Sequence, residues 1–186
     1  MLTDEQLATG NLSRYDAIVA GVRAFNVNDR LPRYHDHLME YVKNGGNFIV
    51  QYNTNTRLGP MTTDPGPYPF KIGNLRVTDE QAAVTFNNPE STVLNFPNRI
   101  TQKDFSNWIQ ERGIYFATDV DAKYEKVFSM NDRNEKPLDG SLIIGKYGKG
   151  NFAYTGLVFF RQLPAGNPGA YRLFVNLLSL PPNDGQ

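Results

Sequence analysis

A short run of apolar residues at positions 15–22 is the first strong hydrophobic signal along the chain. The run follows a polar stretch, shows no clean alternation of apolar and polar positions, and breaks at Gly21. Strands that are buried on both faces, as in a parallel sheet, have this nearly continuous pattern. The run therefore predicts a buried strand.

The next apolar positions recur at spacings of three and four, which is the period of one helix face. Asn28 and Asp29 can cap this helix, and Pro32 fits its first turn. The glycines at 45 and 46 can end it, and residues 48–52 then form a second apolar run. Strand, helix and strand in this order predict a βαβ unit with a right-handed crossover. The helix face consists of Leu31, Tyr34, Leu38, Tyr41 and Val42.

Residues 54–73 contain too many prolines and glycines for regular structure. This segment is predicted to be a long loop, and long ordered loops are often functional. The breakers are Gly59, Pro60, Pro65, Gly66, Pro67, Pro69 and Gly73.

The middle of the chain predicts a strand over 82–86, a helix over 101–110 that is capped by Thr101, and a strand over 114–117. The helical pattern centres on Phe105 and Trp108. These elements extend the α/β pattern of the first half of the chain.

Two apolar strands are predicted at 142–147 and 152–160, and the glycines between them favour a tight hairpin. The two strands are expected to pair antiparallel. A last helix opens at Pro168 and Gly169 and presents its apolar face to the sheet.

Composition narrows the function classes. The 186 residues are enough for one domain, and nineteen basic residues balance nineteen acidic ones without a charged block. Nucleic acid is therefore not an expected partner. A membrane is not one either, because no apolar run approaches the length of a membrane span and the first ten residues are polar. The absence of cysteine excludes disulfides, thiolate metal sites and a cysteine nucleophile, but it leaves the compartment open.

Polar side chains follow the first two predicted strands, where ligands of open α/β sheets usually bind. Amide and guanidinium groups at adjacent strand ends suit the hydroxyl groups of a sugar. The alternative is an internal hydrogen-bond network that ties the proline-rich loop to the sheet and binds no ligand. The candidate residues are Arg23, Asn26, Gln51, Asn53, Asn55 and Arg57.

No metal site or other cofactor is predicted. His35 and His37 lie about 200° apart on a helix, so they cannot bind one ion and are expected to face solvent. Asp119 begins a stretch that resembles a calcium loop, but Lys123 stands where a third oxygen ligand is needed.

Glu111 is a candidate acid beside an aromatic residue, with Asp104 and Trp108 close in sequence. Glycosidases use a pair of carboxylates in this way. The alternative is an ordinary ion pair between Glu111 and Arg112 at the end of the predicted helix.

Several stretches of the chain resemble the class I glutamine amidotransferase-like domains at the C-terminus of bacterial deacetylases of the N-acetylglucosaminyl-phosphatidylinositol de-N-acetylase (PIG-L) family. They are 15–26 (YDAIVAGVRAFN), 41–53 (YVKNGGNFIVQYN), 97–101 (PNRIT), 111–116 (ERGIYF), 161–166 (RQLPAG) and 168–173 (PGAYRL), with Asp104, Phe105 and Trp108.

The resemblance implies a single domain over 1–186, as the C-terminal part of a larger enzyme. It implies a three-layer, flavodoxin-like α/β fold with a mostly parallel sheet and a C-terminal antiparallel hairpin. Two features of the family's chemistry are missing. The His-Pro-Asp-Asp zinc motif of the deacetylase is absent, and amides occupy 51–55, where the resemblance would place the elbow of the cysteine nucleophile.

By itself the chain is therefore not expected to be an enzyme. The resemblance implies an accessory domain of a zinc-dependent deacetylase that binds carbohydrate or shapes the substrate cleft, with Glu111 and Arg161 added to the candidate ligand-binding residues. The preceding deacetylase domain would be its partner, and the parent could be secreted or periplasmic. One alternative is a structural module for homodimerisation or interdomain packing. Another is a hydrolase that uses Glu111, Asp104 or Asp119.

Overall fold

The computed structural model describes residues 1–57, 61 and 63–183. Gly59 and Pro60 of the predicted loop lie outside these residues. The α-helices are α1 (Asp4–Thr9), α2 (Ala24–Val27), α3 (His35–Lys43), α4 (Thr92–Asn95), α5 (Phe159–Gln162) and α6 (Pro168–Leu178). The strands are β1 (Ala17–Ala20), β2 (Asn47–Gln51), β3 (Lys71–Ile72), β4 (Arg76–Val77), β5 (Val84–Phe86), β6 (Gly113–Ile114), β7 (Ala117–Thr118), β8 (Tyr124–Lys126), β9 (Phe128–Met130), β10 (Leu142–Tyr147) and β11 (Gly150–Thr155). Short 3₁₀ turns lie at Leu12–Arg14, Leu31–Tyr34 and Gln102–Phe105.

The central sheet has the order β1-β2-β11-β10-β8. β1 pairs parallel with β2 and β2 pairs parallel with β11, whereas β11–β10 and β10–β8 are antiparallel. The predicted α/β class is confirmed, but the prediction of a mostly parallel sheet is wrong, since half of its pairings are antiparallel. The reason is that the middle of the chain adds only β8 to this sheet. Its other short strands form the separate two-stranded ribbons β3–β7, β4–β6 and β5–β9.

The predicted βαβ unit is present as β1, α3 and β2. The side chain of Asn28 accepts a hydrogen bond from the Arg30 amide at 3.0 Å, and this turn leads into Leu31–Tyr34 and α3. The helix ends at Lys43, and Gly45 follows with φ of 117°, a backbone conformation that favours glycine. Local sequence chemistry therefore sets the end of this helix, but the predicted cap by Asn28 and Asp29 is wrong, because Arg30 precedes the 3₁₀ turn and Tyr34 precedes α3, neither with a side-chain cap.

The hairpin of β10 and β11 is also present, with Tyr147 opposite Gly150 and Gly148 in the turn at φ of 57°. Its second strand is shorter than predicted and ends at Thr155. The Thr155 hydroxyl accepts a hydrogen bond from the Leu157 amide at 3.1 Å, and the chain turns there into α5. The continuous apolar sequence over 152–160 therefore includes both the end of β11 and the turn into α5.

The predicted helix over 101–110 is wrong, because only the 3₁₀ turn Gln102–Phe105 forms. Asn107 and Gln110 have φ values of 59° and 69°, and such left-handed residues cannot continue a right-handed helix. The Trp108 indole instead donates to the Asp104 carbonyl at 2.9 Å within the core. Phe105 and Trp108 are both buried although no helix forms, so their spacing of three residues resembles a helix face without being one.

Left-handed backbone also interrupts the strand predicted over 114–117. Tyr115, with φ of 59°, separates β6 from β7. The strand predicted over 82–86 is present but begins only at Val84. The last helix is present as α6, and the Asn167 side chain caps it by accepting from the amides of Gly169 and Ala170. Among the described residues, no helix is long and apolar enough to cross a membrane.

Buried tyrosines belong to the core on one face of the sheet. The Tyr154 hydroxyl donates to the Tyr115 carbonyl at 2.7 Å, and the Tyr41 hydroxyl donates to the Tyr15 carbonyl at 3.0 Å. Burial raises the pKa of Tyr41 to about 12 and raises the pKa of Tyr124 and Tyr154 as well. The folded protein therefore holds these phenols neutral at a pH where the unfolded chain ionises them.

We expect the stability of the protein to fall as the pH rises above about 10. In that range the unfolded chain releases tyrosine protons first, so each buried tyrosine removes about 1.4 kcal/mol per pH unit until its folded pKa is reached. Urea unfolding at pH 9, 10 and 11 measures this loss. Tyr154→Phe should make the loss shallower, and Tyr171→Phe, at an exposed position, should not. Equal slopes for wild type and Tyr154→Phe would contradict the expectation.

Candidate functional site

The carboxyl ends of β1, β2 and β11 meet at one edge of the sheet, because these three strands run parallel. The chain leaves β1 through Arg23, which has φ of 58° and directly precedes α2. The Arg23 amide donates to the Tyr52 carbonyl at 2.8 Å and so joins the segments that leave β1 and β2. Residues 52–55, where the elbow was expected, have no regular structure, and the strand–turn–helix geometry typical of an elbow occurs at Arg23 instead.

The predicted amides of this edge are engaged within the protein. Asn53 is fully buried, and its side chain accepts from the Phe25 amide and donates to the Gln51 carbonyl, both at 3.0 Å. Asn26 and Thr54 form a reciprocal pair, in which the Asn26 side chain donates to the Thr54 carbonyl at 2.7 Å and accepts from its amide at 2.8 Å. These bonds fit the alternative of an internal network.

The other three predicted residues, Asn55, Gln51 and Arg57, are more exposed than Asn53. The Asn55 side chain accepts from the Met61 amide at 3.0 Å and so holds the loop. Gln51 closes β2 opposite Thr155 and is partly buried, and Arg57 is exposed in a turn. Within the described part of the chain, neither the Gln51 nor the Arg57 side chain makes a hydrogen bond to another candidate residue.

Three aromatic rings form the centre of the edge. The Tyr52 ring lies 5.3 Å from that of Tyr115 and 5.5 Å from that of Phe160, between ring centroids. The Arg161 guanidinium lies 4.9 Å from the centroid of the Phe160 ring, a cation–π contact. Sequence reasoning did not select these rings, although Tyr52 directly follows a strand end. We call Arg23, Tyr52, Glu111, Tyr115, Phe160 and Arg161 the strand-end cluster.

Glu111 is the buried charge of the strand-end cluster, with a side chain that is 8% exposed. Its Oε1 accepts from Arg161 Nε at 3.2 Å. Its Oε2 is buried, lies 3.6 Å from Arg76 Nη2 and has no hydrogen-bond partner among the residues that the structure describes. The ion pair expected between Glu111 and Arg112 is therefore wrong. Arg112 donates instead to the carbonyls of Ala82 and Phe105.

The other two carboxylates considered for a hydrolase are bound elsewhere. Asp104 accepts from the Thr101 amide at 2.7 Å and from Arg172 Nε at 2.8 Å. Asp119 is exposed and pairs with Lys71 at 2.7 Å, which lowers the pKa of Asp119. In the described residues, neither contacts Glu111, so the structure does not assemble the carboxylate pair of a glycosidase there.

The charged side chains of the strand-end cluster influence the pKa of the Tyr52 hydroxyl group. Burial is the main cause that raises the pKa of Tyr52, and the neighbouring Tyr115 and Glu111 raise it further, whereas Arg23 and Arg161 oppose the shift. Arg23, Glu111 and Arg161 therefore lie within electrostatic range of Tyr52. The structure brings three of the predicted residues together around a ring that the prediction missed.

The two histidines lie away from this edge and are half-buried. His37 Nδ1 contacts the Leu7 carbonyl at 2.5 Å, and His35 Nε2 lies 3.4 Å from the Gly66 carbonyl. The expectation that both face solvent is wrong, because α1 and the long loop cover them. They contact different segments, and no group of three potential metal ligands occurs in the described part of the chain.

No family model and no curated protein matches the chain. Among solved structures, the chain is similar to cytoplasmic protein STM3548 from Salmonella typhimurium, with 19% identity and a TM-score of 0.59 over 93% of this chain and 74% of that one. It is similar to cytoplasmic protein STM1381 from Salmonella typhimurium LT2, with 17% identity and a TM-score of 0.55 over 92% and 74%. It is also similar to part of a β-galactosidase from Rahnella sp. R3, with 17% identity and a TM-score of 0.51 over 89% of this chain but 22% of the enzyme. At these identities the likeness shows a shared fold.

Proposed function

We propose that this chain is a non-catalytic accessory domain whose strand-end cluster binds carbohydrate. The observation that carries the proposal is the group of three aromatic rings, Tyr52, Tyr115 and Phe160, with the partly exposed Arg161 guanidinium over the Phe160 ring. The apolar face of a sugar ring suits an aromatic side chain. In the described part of the chain the terminal nitrogens of Arg161 make no hydrogen bond, so they could donate to sugar hydroxyl groups.

The absence of a cysteine nucleophile supports a binding role. The sequence contains no cysteine, and Arg23 occupies the left-handed position between β1 and α2. A guanidinium stays protonated and cannot act as a nucleophile or a general base at neutral pH. This edge is therefore suited to hold a ligand and not to cleave it.

The wider context is part of the same proposal. We infer from the resemblance of residues 15–26 and 41–53 that the domain is flavodoxin-like and amidotransferase-like and belongs to a bacterial N-deacetylase of the PIG-L family. Its partner would be the preceding zinc-dependent deacetylase domain, in a secreted or periplasmic parent. Sugar binding beside that domain would hold a polymeric substrate in reach of the zinc site.

A second candidate is a module for dimerisation or interdomain packing. β1 is the edge strand of the sheet, and Val19 on it is 38% exposed. A groove of about 620 Å³ beside it is lined in part by Leu2, Leu7 and Ile18. Light scattering separates the two candidates, since packing between copies requires a dimer in solution.

We expect the domain to bind oligosaccharides in isothermal titration calorimetry, and Tyr52→Ala to weaken binding about tenfold, which corresponds to about 1.4 kcal/mol. The loss would come from the missing ring between Tyr115 and Phe160.

A matched control is Arg14→Ala, because Arg14 also lies over an aromatic ring, that of Tyr15, at 5.1 Å, but outside the strand-end cluster. Arg14→Ala should bind as wild type does. The carbohydrate proposal fails if no oligosaccharide of a panel with neutral, acidic and amino sugars produces binding heat, or if Arg14→Ala weakens binding as much as Tyr52→Ala does.

A further inference from the structure

Positive charge dominates the strand-end cluster although the chain as a whole is neutral. Arg23, Arg161 and the adjacent Arg76 carry three positive charges, Glu111 pairs with two of them, and Asp132 also lies within electrostatic range of Arg76. Nineteen basic residues balance nineteen acidic ones over the whole sequence. Three arginines against two carboxylates leave a local excess of about one positive charge, which is a property of this edge and not of the surface in general.

The arginines retain free hydrogen-bonding capacity. Arg161 uses Nε for Glu111, and in the described part of the chain its two terminal nitrogens make no hydrogen bond. Arg161 is also partly immobilised by its contact with the Phe160 ring, and its side chain is 34% exposed. A guanidinium presents paired N–H donors that match an anionic oxygen group, and preorganisation reduces the entropy lost on binding.

A neutral sugar would leave this charge excess unused. An amino sugar would add a further positive charge beside Arg23 and Arg161, and like charges in one site are repulsive. The aromatic rings beside Arg161 still suit the apolar face of a sugar ring. One class of ligand fulfils both requirements.

We propose that the strand-end cluster selects acidic saccharides, in which an anionic group on the sugar contacts the Arg161 guanidinium while the sugar ring lies against the aromatic rings. This inference rests on the proposed carbohydrate binding and names its ligand class. A carboxylate at the sugar ring or a sulfate ester on it would present the same anionic oxygens.

The test compares four oligosaccharide probes in calorimetry with the whole chain. Oligomers of galacturonic acid and of galactose share their ring configuration and differ in the carboxylate, a sulfated galactose oligomer carries the other anionic group, and glucosamine oligomers carry positive charge. We expect at least about tenfold tighter binding of the uronic or the sulfated oligomer than of the galactose oligomer, with a difference that shrinks as salt rises. Whichever of these two oligomers binds more tightly shows whether the site prefers a carboxylate or a sulfate ester.

Arg161→Gln should abolish this preference and Arg161→Lys should retain most of it, since lysine keeps the charge. Arg14→Gln is the matched control outside the cluster and should leave the preference unchanged. Thermal unfolding of each variant verifies that the fold is intact. If galactose or glucosamine oligomers bind as tightly as both anionic oligomers, the charge inference is overturned and carbohydrate binding remains. If none of the probes binds, both proposals fall together.

Discussion

Replacing Arg112 by alanine is expected to lower the free energy of unfolding by about 3–4 kcal/mol, the largest effect we expect of any single substitution outside the strand-end cluster. The Arg112 side chain is buried, and the residue is 5% exposed. Its Nε and Nη2 donate to the Ala82 carbonyl at 3.1 and 2.8 Å, and Nη1 donates to the Phe105 carbonyl. Alanine would leave both carbonyls without these donors and would open a cavity beside Trp108, whose ring lies 5.9 Å from the guanidinium.

Urea unfolding at pH 7 measures this effect. Burial lowers the pKa of Arg112, but an arginine stays charged at this pH. Arg112→Lys keeps a charge and loses the fork that reaches two carbonyls, so it should also destabilise the protein. Arg133→Ala removes an exposed arginine and should stay within about 0.5 kcal/mol of wild type. An Arg112→Ala protein as stable as the Arg133→Ala protein would refute the role of Arg112 as a link between two loops.

Asn176→Ala is expected to cost about 3 kcal/mol, because this amide uses its full hydrogen-bonding capacity inside the core. Asn176 is fully buried on α6. Its Oδ1 accepts from the amide and from the side chain of Asn98, both at 3.0 Å. Its Nδ2 donates to the carbonyls of Val93 and Asn98, both at 2.7 Å. Alanine would leave several backbone groups of residues 93–98 without partners.

The same unfolding measurement includes two comparisons. Asn176→Asp retains the acceptor and loses both donated bonds. If the buried carboxyl is neutral, the stability of this variant should lie between those of wild type and Asn176→Ala. If the carboxyl is charged, the variant should be less stable than both. Val175→Ala changes the neighbouring helix position, which is 40% exposed, and should have a small effect. A cost for Asn176→Ala no larger than for Val175→Ala would show that the network adds nothing to stability.

Elements with strong local signals could be predicted from the sequence. The β1–α3–β2 unit, the β10–β11 hairpin and α6 all have clear hydrophobic periods with capping or turn residues at their ends, and all three form. The segment 101–118 could not be predicted, because Asn107, Gln110 and Tyr115 adopt left-handed backbone that no local signal requires. Tertiary contacts such as the buried Trp108 impose that conformation and override helical and strand propensity.

The candidate site could also be predicted from the sequence only in part. Strand order predicted that Arg23 and the residues after β2 would share an edge, since parallel strands end together. Pattern alone could not distinguish the amides that close an internal network, Asn26 and Asn53, from side chains left for a ligand. That distinction depends on which backbone groups approach each amide after folding.

The sequence by itself therefore determined the α/β class, the elements bounded by caps and turns, and the absence of a cysteine nucleophile. Only the tertiary structure decided that Glu111 lies between Arg161 and Arg76, 35 or more residues away in the chain, and within electrostatic range of Tyr52. Hydrophobic periods and caps act over a few residues and can be read from neighbours in sequence. Burial and charge at a site depend on segments that meet only when the sheet is complete.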